Sequence, residues 1–266
     1  LIPAASESSV ISDLSKAVSA IIGVIIPFER IFFVVSKPFI IIDEFHKVFT
    51  PLAKKTIDGL NPEFILGLTA TPKDGMNNLC KVSGLELKDE EMVKLDLHII
   101  PPVVNIENDW KGMLQNLVTK RNQLEQKAIE YKQETGQYIR PIALIQCERT
   151  GKDQRGNGFV HSEDVKQQLI DEGINPSEVA IKSSDKNDIE DIDLFSSDCQ
   201  IRYIITQSAL NEGWDCSFAY VLGIIPNVNS NTSVTQLIGR ILRQPRAKKT
   251  GIKDLDESYV YYAKGD

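Results

Sequence analysis

The sequence predicts an α/β fold with mainly parallel sheets, arranged as two lobes. Short apolar runs alternate with helical patterns over most of the 266 residues, as βα units require. Several runs are apolar throughout, the mark of strands covered on both faces. A long amphipathic stretch separates the first two runs from the rest.

The first expected strand is Phe39-Ile40-Ile41-Ile42, read as covered on both faces, and the second is Phe64 to Leu68. Then Trp110, Met113, Leu117, Leu124, Ala128 and Tyr131 recur at helical spacing, and Gly136 and Pro141 close the pattern. This helix reads either as a bridge between two lobes or as an ordinary surface helix. Three further strands are expected at Ile142 to Ile145, Tyr203 to Ile205 and Tyr220 to Ile225. The expected division is a first lobe over 1–98, a linker with the bridging helix over 99–139, and a second lobe over 140–266. The polar, glycine-rich stretch Gly151 to Gly158 reads as a surface loop and lacks a phosphate-binding pattern.

Composition excludes several classes. A hydrophobic fraction of 42% and a charged fraction of 25% are those of a folded globular chain. Net charge is −7, from 37 acidic and 30 basic residues, which leaves room for a local basic surface. Acid gathers between Asp185 and Asp193, whereas Arg240 to Lys249 holds five basic residues and no acid. The four cysteines form no CxxC pair and the three histidines no HExxH, so a zinc site or disulfide framework is not expected. The most apolar stretch, Ala17 to Phe33, is broken by Pro27, Glu29 and Arg30. No membrane span and a cytoplasmic location are therefore expected.

Four motifs carry chemistry. The first strand runs into Asp43-Glu44-Phe45-His46. Ligands of open parallel sheets bind beyond the carboxyl ends of strands. There one carboxylate can hold Mg²⁺ and its neighbour can deprotonate a water, and His46 can sense a phosphate. The same residues also read as a solvated helix start. The second strand ends in Thr69-Ala70-Thr71-Pro72, whose hydroxyls can bond the acidic pair, or which is a plain strand exit. The third motif follows Tyr203 to Ile205 and contains Thr206 and Asn211-Glu212-Gly213-Trp214-Asp215, a tight turn with a carboxylate. The fourth is Gln236-Leu237-Ile238-Gly239-Arg240-Ile241-Leu242-Arg243. On a helix Gln236, Arg240 and Arg243 share one face, and two guanidiniums there suit a transferring phosphoryl group or plain surface ion pairs.

In this order DEFH, TATP, NEGWD and QLIGRILR resemble motifs II, III, V and VI of superfamily 2 helicases and translocases. Within that superfamily RPIALIQCE, ALNEGWDC and QLIGRILRQP are most like the restriction subunit of type III restriction–modification enzymes. The resemblance runs from about Ile40 to about Tyr262. It implies two RecA-like lobes with parallel sheets, a P-loop NTPase-type helicase core that uses ATP and Mg²⁺. It implies Asp43 as the Mg²⁺ residue, Glu44 as the activator of water and His46 as a phosphate sensor. Thr69 and Thr71 would couple hydrolysis to movement, and Thr206 would touch nucleic acid. Gly213, Asp215 and Gln236 would bind or report nucleotide, and Arg240 and Arg243 would be arginine fingers.

The implied function is an ATP-dependent motor acting on double-stranded DNA beside a DNA methyltransferase subunit. The alternatives are another superfamily 2 DNA or RNA helicase, or a non-catalytic nucleic-acid-binding relic. One departure stands out: none of the 42 residues before Asp43 fits GxxxxGK[ST], and no PD-(D/E)xK nuclease pattern follows. The expectation is a first lobe truncated at its N-terminus and a fragment inactive alone.

Overall fold

A computed structural model describes residues 37–70, 72–73, 75–102, 109–147, 159–183, 186–207, 216–225 and 237–263. The chain forms two compact units that meet between Lys81 and Val82.

In the first unit β1 (Phe39–Ile42) pairs in parallel with β2 (Phe64–Gly67), with Ile42 opposite Gly67. Between them lie a 3-10 turn, Phe45–Phe49, and α1, Pro51–Asp58. Thr50 caps α1 by accepting from the Ala53 amide at 3.3 Å, and Pro51 occupies the first turn, where its missing N–H costs nothing. Phe39 and Phe64 stack with ring centres 5.1 Å apart. Expected covered on both faces, β1 instead alternates, with Phe39 and Ile41 about 60% exposed. An all-apolar run of four residues does not by itself say that both faces are covered.

The second unit holds a sheet whose six described strands are all parallel. They are β3 (Asp96–Ile100), β4 (Ile142–Gln146), β5 (Val179–Lys182), β6 (Tyr203–Thr206), β7 (Ala219–Ile224) and β8 (Glu257–Tyr262), in spatial order β3-β8-β7-β4-β6-β5. The three apolar runs expected here, at β4, β6 and β7, are strands, and β4 and β6 are buried along their whole length. An α/β protein with parallel sheets is what the alternation of elements anticipated.

The helix expected between the lobes is α3, Trp110–Thr135, after the short α2, Gly84–Asp89. Asp109 caps α3 through a 2.9 Å bond from the Gly112 amide, and Gly136 ends it in the left-handed region at φ 73°. Met113, Leu117, Leu124, Ala128 and Tyr131 are buried, as the spacing predicted, and they pack into the core of the second unit. Met113, Leu117 and Leu124 each contribute roughly 1.5–3 kcal/mol by leaving water. The helix lies so close to the sheet that a Cβ on Gly223 would sit 2.6 Å from Leu117 Cδ1.

The 1–98 boundary and the bridging helix are thus replaced. β3 pairs with β8 and α3 packs on the second sheet, because a long apolar face needs a sheet to cover. A further helix, α4 (Ser162–Asp171), starts at a capping box between His161 and Asp164 and buries Val165 and Leu169. Among the described residues no helix is long and apolar enough to cross a membrane.

Candidate functional site

Asp43 and Glu44 leave the carboxyl end of β1, where the backbone turns sharply. Glu44 sits in the left-handed region at φ 52°, ψ 44°, which is uncommon for a side-chain-bearing residue and concentrates at functional turns. Asp43 Oδ1 steadies the turn by accepting from the Glu44 amide at 2.8 Å. The chain then returns over β2: Leu68 N–H donates to the Ile42 carbonyl at 2.8 Å, and Phe45 N–H to the Leu68 carbonyl at 2.9 Å.

This returns His46 to the end of β2. Its Nδ1 lies 3.0 Å from Thr69 Oγ1 and 3.2 Å from Glu44 Oε2. The hydroxyl at position 69, expected to bond the acidic pair, therefore meets His46, which links it to Glu44. Protonated, Nδ1 donates toward both oxygens; unprotonated, it accepts from the threonine. Asp43 is exposed, and His46 and Glu44 are partly covered.

Gly67 makes this packing possible. A Cβ there would fall 2.4 Å from Phe45 Cγ and 2.9 Å from Phe45 Cβ. Gly67→Ala is therefore expected to lower the stability of the first unit by about 1–3 kcal/mol, the usual cost of overpacking. Urea unfolding would show this, and a Phe45→Ala partner substitution should recover part of the loss. Equal loss in the single and double variants would contradict it.

In the second unit Thr206 ends β6 and is fully buried, its carbonyl accepting from the Cys147 amide at 2.9 Å. It lies where the winding reverses, since β6 and β7 flank β4 on opposite sides. That is the customary ligand crevice of an open parallel sheet. In its described surroundings Thr206 supports the strand end from inside.

Arg240 closes a helical turn over residues 237–241, but Arg243 lies beyond it. Arg243 forms an antiparallel bridge with Val93, flanked by Lys94 N–H to the Leu242 carbonyl at 2.6 Å and Gln244 N–H to the Met92 carbonyl at 3.0 Å. The expected single helical face for both arginines is thus corrected: pairing with residues 92–94 takes the backbone out of the helix before Arg243. Arg240 is half-buried and Arg243 exposed. Thr71, Gly213, Asp215 and Gln236 lie outside the described residues.

The bridge delivers a group the sequence did not single out. Lys94 is fully buried, and its Nζ donates to the carbonyls of Ser217 and Ala219 at 3.2 Å each and of Arg243 at 2.5 Å. It also sits 4.0 Å from the centre of the Tyr220 ring. Nothing in VKLDLHII marks this lysine, because its acceptors come from main chain more than a hundred residues away.

Burial pushes the Lys94 ammonium down to about 7 from 10.5, with Cys216 and Asp256 opposing the shift. Between those values only the unfolded chain holds the extra proton, so stability must rise with pH from about 7 toward 10.5. Below that window both states are protonated and burial has its full cost. Unfolding midpoints measured at pH 7 and pH 9 are expected to be higher at pH 9, and Lys94→Met should flatten the slope. The same slope in the variant would refute this assignment.

An acidic turn and a threonine thus lie at neighbouring strand ends, where parallel α/β sheets bind their ligands. Residues 27–74, which span this turn and strand pair, match the family described as type III restriction enzyme, res subunit. Among solved structures, the ATP-dependent Type ISP restriction-modification enzyme LlaBIII bound to DNA is similar over 85% of this chain, at 13% identity and a TM-score of 0.44. The chain spans about 18% of the length of that enzyme. It has no match among curated proteins.

Proposed function

We propose that the chain is part of an ATP-driven motor of the restriction-enzyme type, with RecA-like lobes, that hydrolyses ATP while acting on double-stranded DNA. The observation that carries this reading is the Asp43–Glu44–His46–Thr69 turn, at the carboxyl ends of adjacent parallel strands, within the segment similar to res subunits.

In this reading Glu44 orients a water and takes its proton as the water oxygen bonds the γ-phosphorus. The bond from that phosphorus to the β,γ-bridging oxygen breaks, and ADP leaves with the electron pair. His46 and Thr69 hold the Glu44 carboxylate in place and pass its state to the end of β2, with Thr71 beyond. Arg240 and Arg243 offset charge on the transferring group. Gly213, Asp215 and Gln236 contact the nucleotide, and Thr206 ends the strand that precedes the first two in sequence.

Asp43 fits a hydrated Mg²⁺. It is an exposed carboxylate with one oxygen on a backbone amide, and Mg²⁺ keeps most of its waters when bound through one or two carboxylates and phosphates. No cluster of three or more His, Cys, Asp or Glu among the described residues offers a full protein cage instead. When bound there, the ion would offset negative charge on the phosphate oxygens.

The exposed basic residues Arg243, Arg246, Lys248 and Lys249 support a DNA-backbone contact. A methyltransferase subunit is the partner that the res-subunit likeness suggests.

The test is release of inorganic phosphate from Mg·ATP by this chain, with and without duplex DNA. Release that rises with DNA supports the motor. DNA binding with no release in either sample replaces it with a non-catalytic DNA-binding function. Release stimulated by RNA but not by duplex DNA points to a helicase outside restriction.

A further inference from the structure

The QLIGRILR segment is anchored at its far end by a side chain outside all four motifs. The Arg243 carbonyl, the last of that segment, and the Ser217 carbonyl, two residues past Asp215 in sequence, converge on one atom, Lys94 Nζ. The Ala219 carbonyl, at the start of β7, is its third acceptor. All three acceptors are backbone carbonyls, and Nζ is their common donor. The geometry is also reinforced from the backbone, since Lys94 N–H donates to the Leu242 carbonyl and Ser258 Oγ donates to the carbonyls of Lys94 and Ile241 at 3.3 and 2.9 Å.

We propose that Lys94 is the positioning residue of the arginine segment, its Nζ fastening the backbone at Arg243 to the backbone at Ser217 and Ala219, so that the end of QLIGRILR is held to the start of β7. The proposal rests on the motor reading for the value of that coupling, and on geometry alone for the fastening. Lys94 touches no reacting group; it acts through the backbone of residues 242–244. A lysine that merely filled space could not serve, because the fastening depends on three polar contacts to chain segments separated in sequence. The titratable groups facing it are the Cys216 thiol, the Tyr220 phenol and the Asp256 carboxylate. Cys216 and Asp256 favour the ammonium, and burial holds the Tyr220 phenol neutral.

The test is residue-resolved amide exchange of the whole chain without nucleotide, in wild type and in Lys94→Met, which keeps the length and removes the donors. The expected result is at least tenfold faster exchange of the amides at positions 94 and 244, which report the pairing of the two segments. Exchange in β4 and β6 should be unchanged. No change at 94 and 244 would overturn the proposal, and so would a uniform increase across the sheet, which would mark Lys94 as a general stability residue.

If Lys94→Met does not fold, the wild type decides. Opening the segment returns Lys94 to water and takes up a proton, so exchange of the Gln244 amide, corrected for its intrinsic rate, must slow from pH 6 to pH 9. A Cys216→Ser background must show the same slowing, since that thiol faces Lys94; a flat profile in either chain overturns the proposal. Where the chain hydrolyses ATP, Lys94→Met should lower kcat at least tenfold with KM unchanged. Failure of hydrolysis in the wild type would remove the motor reading and leave the exchange result to judge the fastening.

Discussion

Replacing Arg140 by alanine is expected to destabilise the second unit by about 4 kcal/mol or more, a large part of the ~5–15 kcal/mol that holds a domain together. Arg140 is fully buried directly before β4. Its Nη1 donates to Tyr138 Oη at 2.9 Å and to the carbonyls of Ser196 and Cys199 at 2.9 and 2.7 Å. Its Nη2 donates to the Leu194 carbonyl. All four acceptors are neutral oxygens, so dipoles hold the charge at Nη1 and Nη2, while the buried Nε has no hydrogen-bond partner among the described residues. Hydrogen bonds to a charged group contribute about 1.5–3 kcal/mol each, and truncation also strands buried acceptors and leaves a cavity. Urea unfolding followed by circular dichroism would measure the loss. Arg140→Lys, with one nitrogen to reach four acceptors, should fall between wild type and alanine. A loss under about 1 kcal/mol in Arg140→Ala would show that the 194–199 loop is held by something else.

Glu44→Gln is expected to abolish most ATP turnover while leaving the fold intact. Glutamine has the same shape, can still bond His46, and is no harder to place in the left-handed backbone conformation that Glu44 occupies. What it lacks is a carboxylate to accept the water's proton. General base catalysis is worth roughly 10²–10⁴ in rate, so phosphate release should fall by about that factor with the unfolding midpoint unchanged. A variant within about threefold of wild type would remove Glu44 from the chemistry. A fall in turnover accompanied by lost stability would instead mark Glu44 as part of the turn's architecture.

Local sequence was sufficient for several elements that depend on near neighbours, although it did not mark β3, β5 or β8. Apolar runs marked β4, β6 and β7, the spacing of Met113 to Tyr131 marked α3 and its buried face, and Gly136 marked its end. The acidic pair and the threonine were legible because each directly follows a strand, and adjacent parallel strands must bring their ends together. Tertiary structure decided what depends on residues far apart in the chain. Composition and spacing could not show that β3 joins β8, that α3 packs on the second sheet, or that Arg243 leaves its helix to bridge Val93. Nor could they show that His46 stands between Thr69 and Glu44, or that Lys94 and Arg140 are buried among carbonyls. The physical reason is plainest for Lys94 and Arg140. A backbone carbonyl is present at every residue and leaves no signature in the sequence, so a side chain that binds one is recognised only when the fold brings the two together.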